Sequence, residues 1–353
     1  MKGGHNLAAA AKNGAAFAAA VKGTIMRGRK CRRSVRRKKP CAAHRGGRMQ
    51  NILEVENLTK SYGEVQAVRG ISFTVEKGSL FSFLGVNGAG KSTTINIICS
   101  ILPKDGGTVR VAGFDLDSQA DKIKRRLGVV FQSTVLDDLL TVKDNLTVRA
   151  SYYGLRGEAW RRRLAELCDM LDLGEILSRP FGKLSGGQKR RADIARGLVG
   201  DPELLILDEP TTGLDPQTRR TVWRVLQDLR AKTGLTVFLT THYMEEADGS
   251  DRVVILDGGR IAASDTPVGL KNAYSRNYLH LYGENIAARV RDAGIACEET
   301  GGGVRLSLPD AAAARAFLAD HPQLCADFEF VKGNMDDVFL AVTGKKLAEG
   351  GSR

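Results

Sequence analysis

Gly85-Val86-Asn87-Gly88-Ala89-Gly90-Lys91-Ser92 is the stretch on which the fold turns. It follows Leu80-Phe81-Ser82-Phe83-Leu84, an apolar run short enough for a buried strand, and leads into Ser92-Thr93-Thr94-Ile95-Asn96-Ile97-Ile98-Cys99, which reads as a helix. Strand, glycine loop and helix start therefore follow one another directly. Glycines let successive N–H groups turn inward around phosphate oxygens, the helix N-terminus adds partial positive charge, and Lys91 supplies a mobile cation for β and γ phosphates. Ser92 is placed to ligate Mg²⁺. Alone, the loop points to a nucleotide and says nothing of its use.

About a hundred residues later, Leu204-Leu205-Ile206-Leu207-Asp208-Glu209 ends four apolar residues in adjacent carboxylates. This reads as a second buried strand of a parallel sheet with its acids at the C-terminal edge, where open α/β sheets bind ligands. Asp208 would hold Mg²⁺ through water. Glu209, pointing differently, can orient and deprotonate an attacking water, a role that needs an acceptor within hydrogen-bond reach of it.

Between the two lies Leu184-Ser185-Gly186-Gly187-Gln188, ahead of a helical stretch expected from Lys189 to Val199. With this segment the chain resembles the nucleotide-binding domain of an ABC transporter, over residues 52–277. The resemblance implies ATP and Mg²⁺ as ligands, with Gly85, Val86, Asn87, Gly88, Ala89, Gly90, Lys91, Ser92 and Thr93 around the phosphates. It also implies that Ser185, Gly186, Gly187 and Gln188 face the γ-phosphate held by the opposite subunit of a homodimer. By the same resemblance Tyr62 stacks on adenine, Gln132 senses Mg²⁺ and links the core to a helical arm, Asp215 crosses the dimer interface, and His242 contacts the γ-phosphate. Lys91, Glu209 and His242 would be the catalytic set; Ser92, Gln132 and Asp208 would form the metal environment. Val86 departs from the proline common in the family, at a position that contributes backbone.

The net charge of +13 invites a nucleic-acid reading, but its distribution argues otherwise. Of 53 Lys and Arg, 14 fall in residues 1–48, which hold no Asp or Glu; the remainder carries 39 against 40 acids. An appeal to DNA or RNA rests on that tail alone, where Arg27 to Lys39 is a like-charge block of the kind usually disordered. Lys12 interrupts its Ala-rich run, against a secretory signal, and the near absence of Ser weighs against a transit peptide. The plainest expectation is a dispensable, disordered basic extension, with Met49 as an alternative start; an arm for anionic lipid or nucleic acid stays open. Six cysteines without a C-x-x-C pair read as reduced thiols. No apolar run approaches the ~20 residues that span a bilayer, so a membrane path would need another polypeptide.

The expected architecture is α/β: an ABC-type phosphate-loop NTPase core over 49–277, with a helical subdomain at about 133–200. A hairpin at Val253 to Ile261 marks the end of the core. Residues 278–345 read as strand, helix, hairpin, helix, strand, the order of a ferredoxin-like α+β domain, closed by an amphipathic helix at Asn334 to Thr343. Residues 346–353 read as a disordered tail. This ending resembles that of daunorubicin-resistance-type ATPases, which serve exporters with separate membrane subunits. It implies a cytoplasmic ATP-hydrolysing subunit peripheral to the inner face of the cell membrane. The rival is a soluble ABC ATPase acting on nucleic acid or ribosomes. A second ATPase domain or long inserted coiled coil, usual in those relatives, is not in this sequence.

Overall fold

The computed structural model describes residues 50–344. The expectations for residues 1–48 and 346–353 lie outside them. The chain enters through a long hairpin, β1 (Asn51–Tyr62) and β2 (Val65–Glu76), then runs β3 (Leu80–Leu84), α1 (Lys91–Ile98), β4 (Gly106–Val111), β5 (Phe114–Asp115), α2 (Leu116–Lys124) and β6 (Leu127–Val130). A helical stretch follows, α3 (Val142–Tyr152), α4 (Gly157–Leu171) and α5 (Gly186–Leu198), before β7 (Leu204–Asp208), α6 (Pro216–Thr233), β8 (Thr236–Thr241), α7 (Met244–Ala247), β9 (Arg252–Asp257), β10 (Arg260–Asp265) and α8 (Pro267–Tyr274). The last part holds β11 (Asn277–Tyr282), α9 (Ile286–Asp292), β12 (Glu298–Thr300), β13 (Gly303–Leu308), α10 (Ala311–Asp320), β14 (Asp327–Val331) and α11 (Met335–Thr343).

The central sheet has the order β10-β9-β3-β8-β7-β6, parallel except for β10. Every residue of β3, β7 and β8 is buried, as expected of strands covered on both faces. An antiparallel sheet, β2-β1-β4-β5, covers one face together with α1. The seam is aromatic: Phe73 of β2 meets Phe81, Phe83 and Phe238 with ring centroids 5.2–6.1 Å apart. On the other face Trp160, Leu164 and Phe181 of the helical stretch share a core with Leu205 and Leu207. The acids that end β7 and the loop that ends β3 thus open at one edge of a rigid sheet. Cys99 lies beneath them, and burial, with Asp208 adding to it, pushes its thiol up to about 12.

Three places differ from the sequence expectation. The first strand, whose pattern Ile52-Leu53-Glu54-Val55 reads as a strand only as far as Val55, extends to Tyr62, because register shifts in its pairing with β2 absorb the polar residues that interrupt its alternation. Helix α5 starts at Gly186 rather than Lys189, since Ser185 and Gln188 form a reciprocal capping box that draws both glycines into the first turn. Finally, α11 is not grouped with the sheet β12-β13-β11-β14 and its helices. Met335, Val338 and Phe339 bury with Leu84, Met244, Val253, Ile255 and Leu270 against the ATPase core. The hairpin β9–β10 leaves that apolar patch uncovered, and α8 and α11 close it.

Candidate active site

The loop between β3 and α1 is built around two glycines, Gly85 and Gly90, that tolerate no side chain. A Cβ on Gly85 would lie 2.5 Å from the Leu256 carbonyl oxygen, and one on Gly90 would lie 2.5 Å from that of Ala67. Gly90 also takes φ +104°, the left-handed region that favours glycine. The N-terminus of α1 has no side-chain cap, so its first N–H groups remain available to an anion. Lys91 is 5% exposed, and its Nζ donates to the carbonyl oxygens of Gly85 at 2.6 Å and Val86 at 3.3 Å.

Glu209 is the hub of the site. Its Oε1 is 3.4 Å from Lys91 Nζ, while Oε2 accepts from Thr212 Oγ1 at 3.0 Å and Gln132 Nε2 at 3.3 Å. His242 Nδ1 stands 3.3 Å from Oε2, off the line of a well-formed hydrogen bond. His242 first, then Lys91 and Thr212, hold the carboxyl down to about 2 against the opposing effect of burial. Burial in turn pulls Lys91 below the usual lysine range, with Glu209 and Asp208 opposing it. Glu209 has φ 44°, strained for a residue with a Cβ, and its N–H is held by Thr240 through Oγ1 at 3.0 Å and the carbonyl oxygen at 3.2 Å. Thr240 Oγ1 also donates to Asp208 Oδ1 at 2.5 Å.

The chemistry of the donors suits Mg²⁺. Among the described residues no group of three His, Cys, Asp or Glu could hold a metal alone. Ser92 is exposed, Asp208 has one carboxylate oxygen engaged by Thr240, and Gln132 spends its amide nitrogen on Glu209, leaving the amide oxygen to face a hard cation. Hydroxyl, amide and carboxylate oxygens completed by phosphate form such a set.

Lys91, Gln132, Asp208, Glu209 and His242 therefore come together. The other expected residues stand apart. Ser185 is exposed and bonded within its own helix start, accepting from Gln188 N at 3.4 Å while Gln188 Oε1 accepts from Ser185 N at 3.1 Å. Asp215 is exposed and caps α6 through the N–H groups of Gln217 and Thr218. Tyr62 is 49% exposed where β1 turns into β2, with Lys60 Nζ 5.9 Å from its ring centroid. Sequence reasoning missed Thr240, Thr212 and Arg190. The pair Thr240-Thr241 directly before His242 was a readable sign for the first; Arg190, inside a basic run, offered none.

Known proteins resemble the chain over most of its length. The ABC transporter family model matches residues 68–212. The chain is 38% identical to the daunorubicin/doxorubicin resistance ATP-binding protein DrrA of Streptomyces peucetius, over 83% of this chain and 92% of that one. It is 36% identical to the Nod factor export ATP-binding protein I of Ralstonia nicotianae, over 84% and 95%. Among solved structures, CbiO1 of Clostridium perfringens, part of an ABC transporter complex, superposes with TM-score 0.60 and 29% identity, covering 64% of this chain and 92% of that one. The dimeric ATP-binding cassette MJ0796 bound to ADP and Pi gives 0.56 and 30%, covering 61% and 98%.

Proposed function

We propose that this chain, which belongs to the ABC transporter ATP-binding proteins and is the ATP-hydrolysing subunit of an exporter, works as a head-to-tail pair of copies moving a permease on a separate polypeptide. The observation that carries the reading is the convergence on Glu209 of Lys91, Gln132 and His242, each within 3.4 Å of its carboxylate. Lys91 holds the β and γ phosphates, the glycine loop and α1 N–H groups cradle them, and Tyr62 stacks on adenine. Mg²⁺, held by Ser92, Asp208 and Gln132, would supply charge neutralisation at the phosphate oxygens. Glu209 orients the attacking water and takes its proton; His242 steadies the transferring group. The exposed start of α5 at Ser185 to Gln188 serves the γ-phosphate of the partner copy, and Asp215 lies along the shared interface.

The permease side of the reading is supported by an open groove of about 1070 Å³ between the sheet edge and the helical subdomain. Ile101, Val135 and Tyr152 are 59%, 59% and 77% exposed there, an apolar lining rimmed by Arg125 and Arg149. Phe131, on its floor, precedes Gln132, so a segment seated in the groove has a one-residue path to the catalytic carboxylate. Among the described residues no helix is long and apolar enough to cross a membrane; docking to a permease would hold the chain at the inner membrane face. Beyond α8, we take residues 278–334 as a ferredoxin-like accessory domain, a reading supported by the strand order β12-β13-β11-β14 and by α9 and α10.

Replacing Glu209 with Gln tests the shared site. Hydrolysis falls by roughly 10²–10⁴, the scale of losing a general base, while ATP binding survives and an ATP-dependent dimer accumulates in size-exclusion chromatography. A Glu209→Gln chain that stays monomeric in saturating MgATP rules out the shared site.

A further inference from the structure

One buried guanidinium pins the helix that begins at Ser185. Arg190, on the second turn of α5, is 6% exposed. Its Nη1 donates to Phe131 O at 2.7 Å, Nε to Pro210 O at 2.6 Å and Nη2 to Asp208 O at 3.3 Å. Phe131 immediately precedes Gln132, and Asp208 and Pro210 bracket Glu209. One side chain thus grips the backbone on both sides of the catalytic carboxylate and beside the groove floor. Farther along the same face, Asp193 is fully buried, 3.6 Å from Arg190 Nη1 and 2.7 Å from Arg196 Nε. Arg196 Nη2 donates to Val129 O at 2.8 Å.

Two guanidiniums sharing one carboxylate in a desolvated setting add little net stability, because the desolvation cost rivals the attraction. What the row confers is position. A planar guanidinium presents several donors in fixed directions, which an ammonium cannot reproduce. The Glu209 backbone it brackets is strained, with φ 44°, and held from the other side by Thr240. Ser185 and Arg190 lie on one rigid rod, about 7.5 Å apart along its axis at 1.5 Å per residue. A tilt of the helix start therefore moves the donors that place Phe131, Asp208 and Pro210.

We propose that Arg190 is a positioning residue that couples the two nucleotide sites of the pair. Engagement of Ser185 by the partner copy's γ-phosphate shifts α5, and Arg190 carries the shift to Gln132 and Glu209 of its own chain. The inference rests on the shared-site reading above.

The test is Arg190→Lys in the full chain, which keeps the charge and loses the fork. The expected result is a KM for ATP within about twofold of wild type and a kcat lower by roughly ten- to a hundredfold, the scale of misplacing a reacting group by about 1 Å. The Hill coefficient for ATP falls toward one. A folded Arg190→Lys chain with wild-type kcat and Hill coefficient overturns the proposal. If in the same series Glu209→Gln still dimerises with ATP, the shared-site reading survives that failure; if Glu209→Gln does not dimerise, both fall.

Should Arg190→Lys not fold, hydrogen exchange on chains that retain Arg190 decides instead. The ATP-trapped Glu209→Gln dimer is compared with the ATP-bound Ser185→Glu/Glu209→Gln chain, in which an anionic cap suits the helix start but repels the partner's phosphate. Slower exchange in the dimer at residues 128–131 and 207–210 supports the coupling. Equal exchange overturns it.

Discussion

Lys91 Nζ lies 3.4 Å from Glu209 Oε1, with the two side chains only 5% and 8% exposed. Each charge compensates the burial of the other, so removing either leaves its partner desolvated and under-paired. Lys91→Ala also removes the cation that meets the phosphates. Charge-assisted hydrogen bonds of this kind contribute about 1.5–3 kcal/mol, so ATP affinity should drop roughly ten- to a hundredfold, read by titration with a fluorescent ATP analogue. Unchanged affinity would mean that the lysine does not reach the nucleotide.

Acid provides a separate handle on the same pair. Because the folded carboxyl of Glu209 is depressed from 4.5 to about 2, it binds protons less readily folded than unfolded. Its contribution to stability is therefore present above the ordinary carboxylate range and is lost as pH falls through the folded value. The difference in urea midpoint between wild type and Glu209→Gln should be steady above pH about 5 and change in wild type's disfavour as pH drops from 4.5 toward about 2. A difference independent of pH over that range contradicts the depressed carboxyl.

Two glycines of the phosphate loop should respond differently to the same added methyl. Gly90→Ala drives a Cβ to 2.5 Å from a backbone oxygen that cannot retreat, at φ +104°. Gly88, at φ +81°, has open space around its would-be Cβ, so Gly88→Ala faces only the left-handed strain of about 1–2 kcal/mol. The first variant should lose ATP binding or fold poorly; the second should melt slightly lower and still bind. Thermal melts with and without MgATP separate the two.

Much of this site was legible in the chain because its parts are local. The loop needs glycines and a lysine at fixed spacing, and the acids need only the end of a buried strand. The start of α5 was encoded locally but read three residues late: Ser185-Gly186-Gly187-Gln188 has the spacing of a capping box, which draws both glycines into the first turn. Arg190 and Thr240 act through contacts 18 to 59 residues distant in sequence for the one and 31 to 32 for the other. No pattern within a single element encodes such partners. The same holds for α11, whose amphipathic face was readable although the surface it covers was not.

That helix changes what truncation should do. Although every phosphate-contacting motif lies upstream of Asn277, ending the chain there strips cover from Leu84 at the end of β3 and from Met244 near His242. Phe339, 1% exposed, is the largest side chain that α11 contributes. Phe339→Ala should cost about 3–5 kcal/mol, and the truncated chain more, measured by denaturant unfolding followed through the ATP-binding signal. A truncated chain as stable as the whole would show that α8 alone closes the patch.

The return of α11 also orders events at the ribosome. Phe339 is made about 250 residues after Leu84, so the apolar patch beside the phosphate loop stays open throughout that interval. Long-range closures of this kind form late and leave apolar surface exposed while the chain waits. Nascent chains stalled between α8 and α11 should therefore engage chaperones more than chains extended past Thr343, and only a chain that has emerged as far as α11 can seal the wall behind its nucleotide loop.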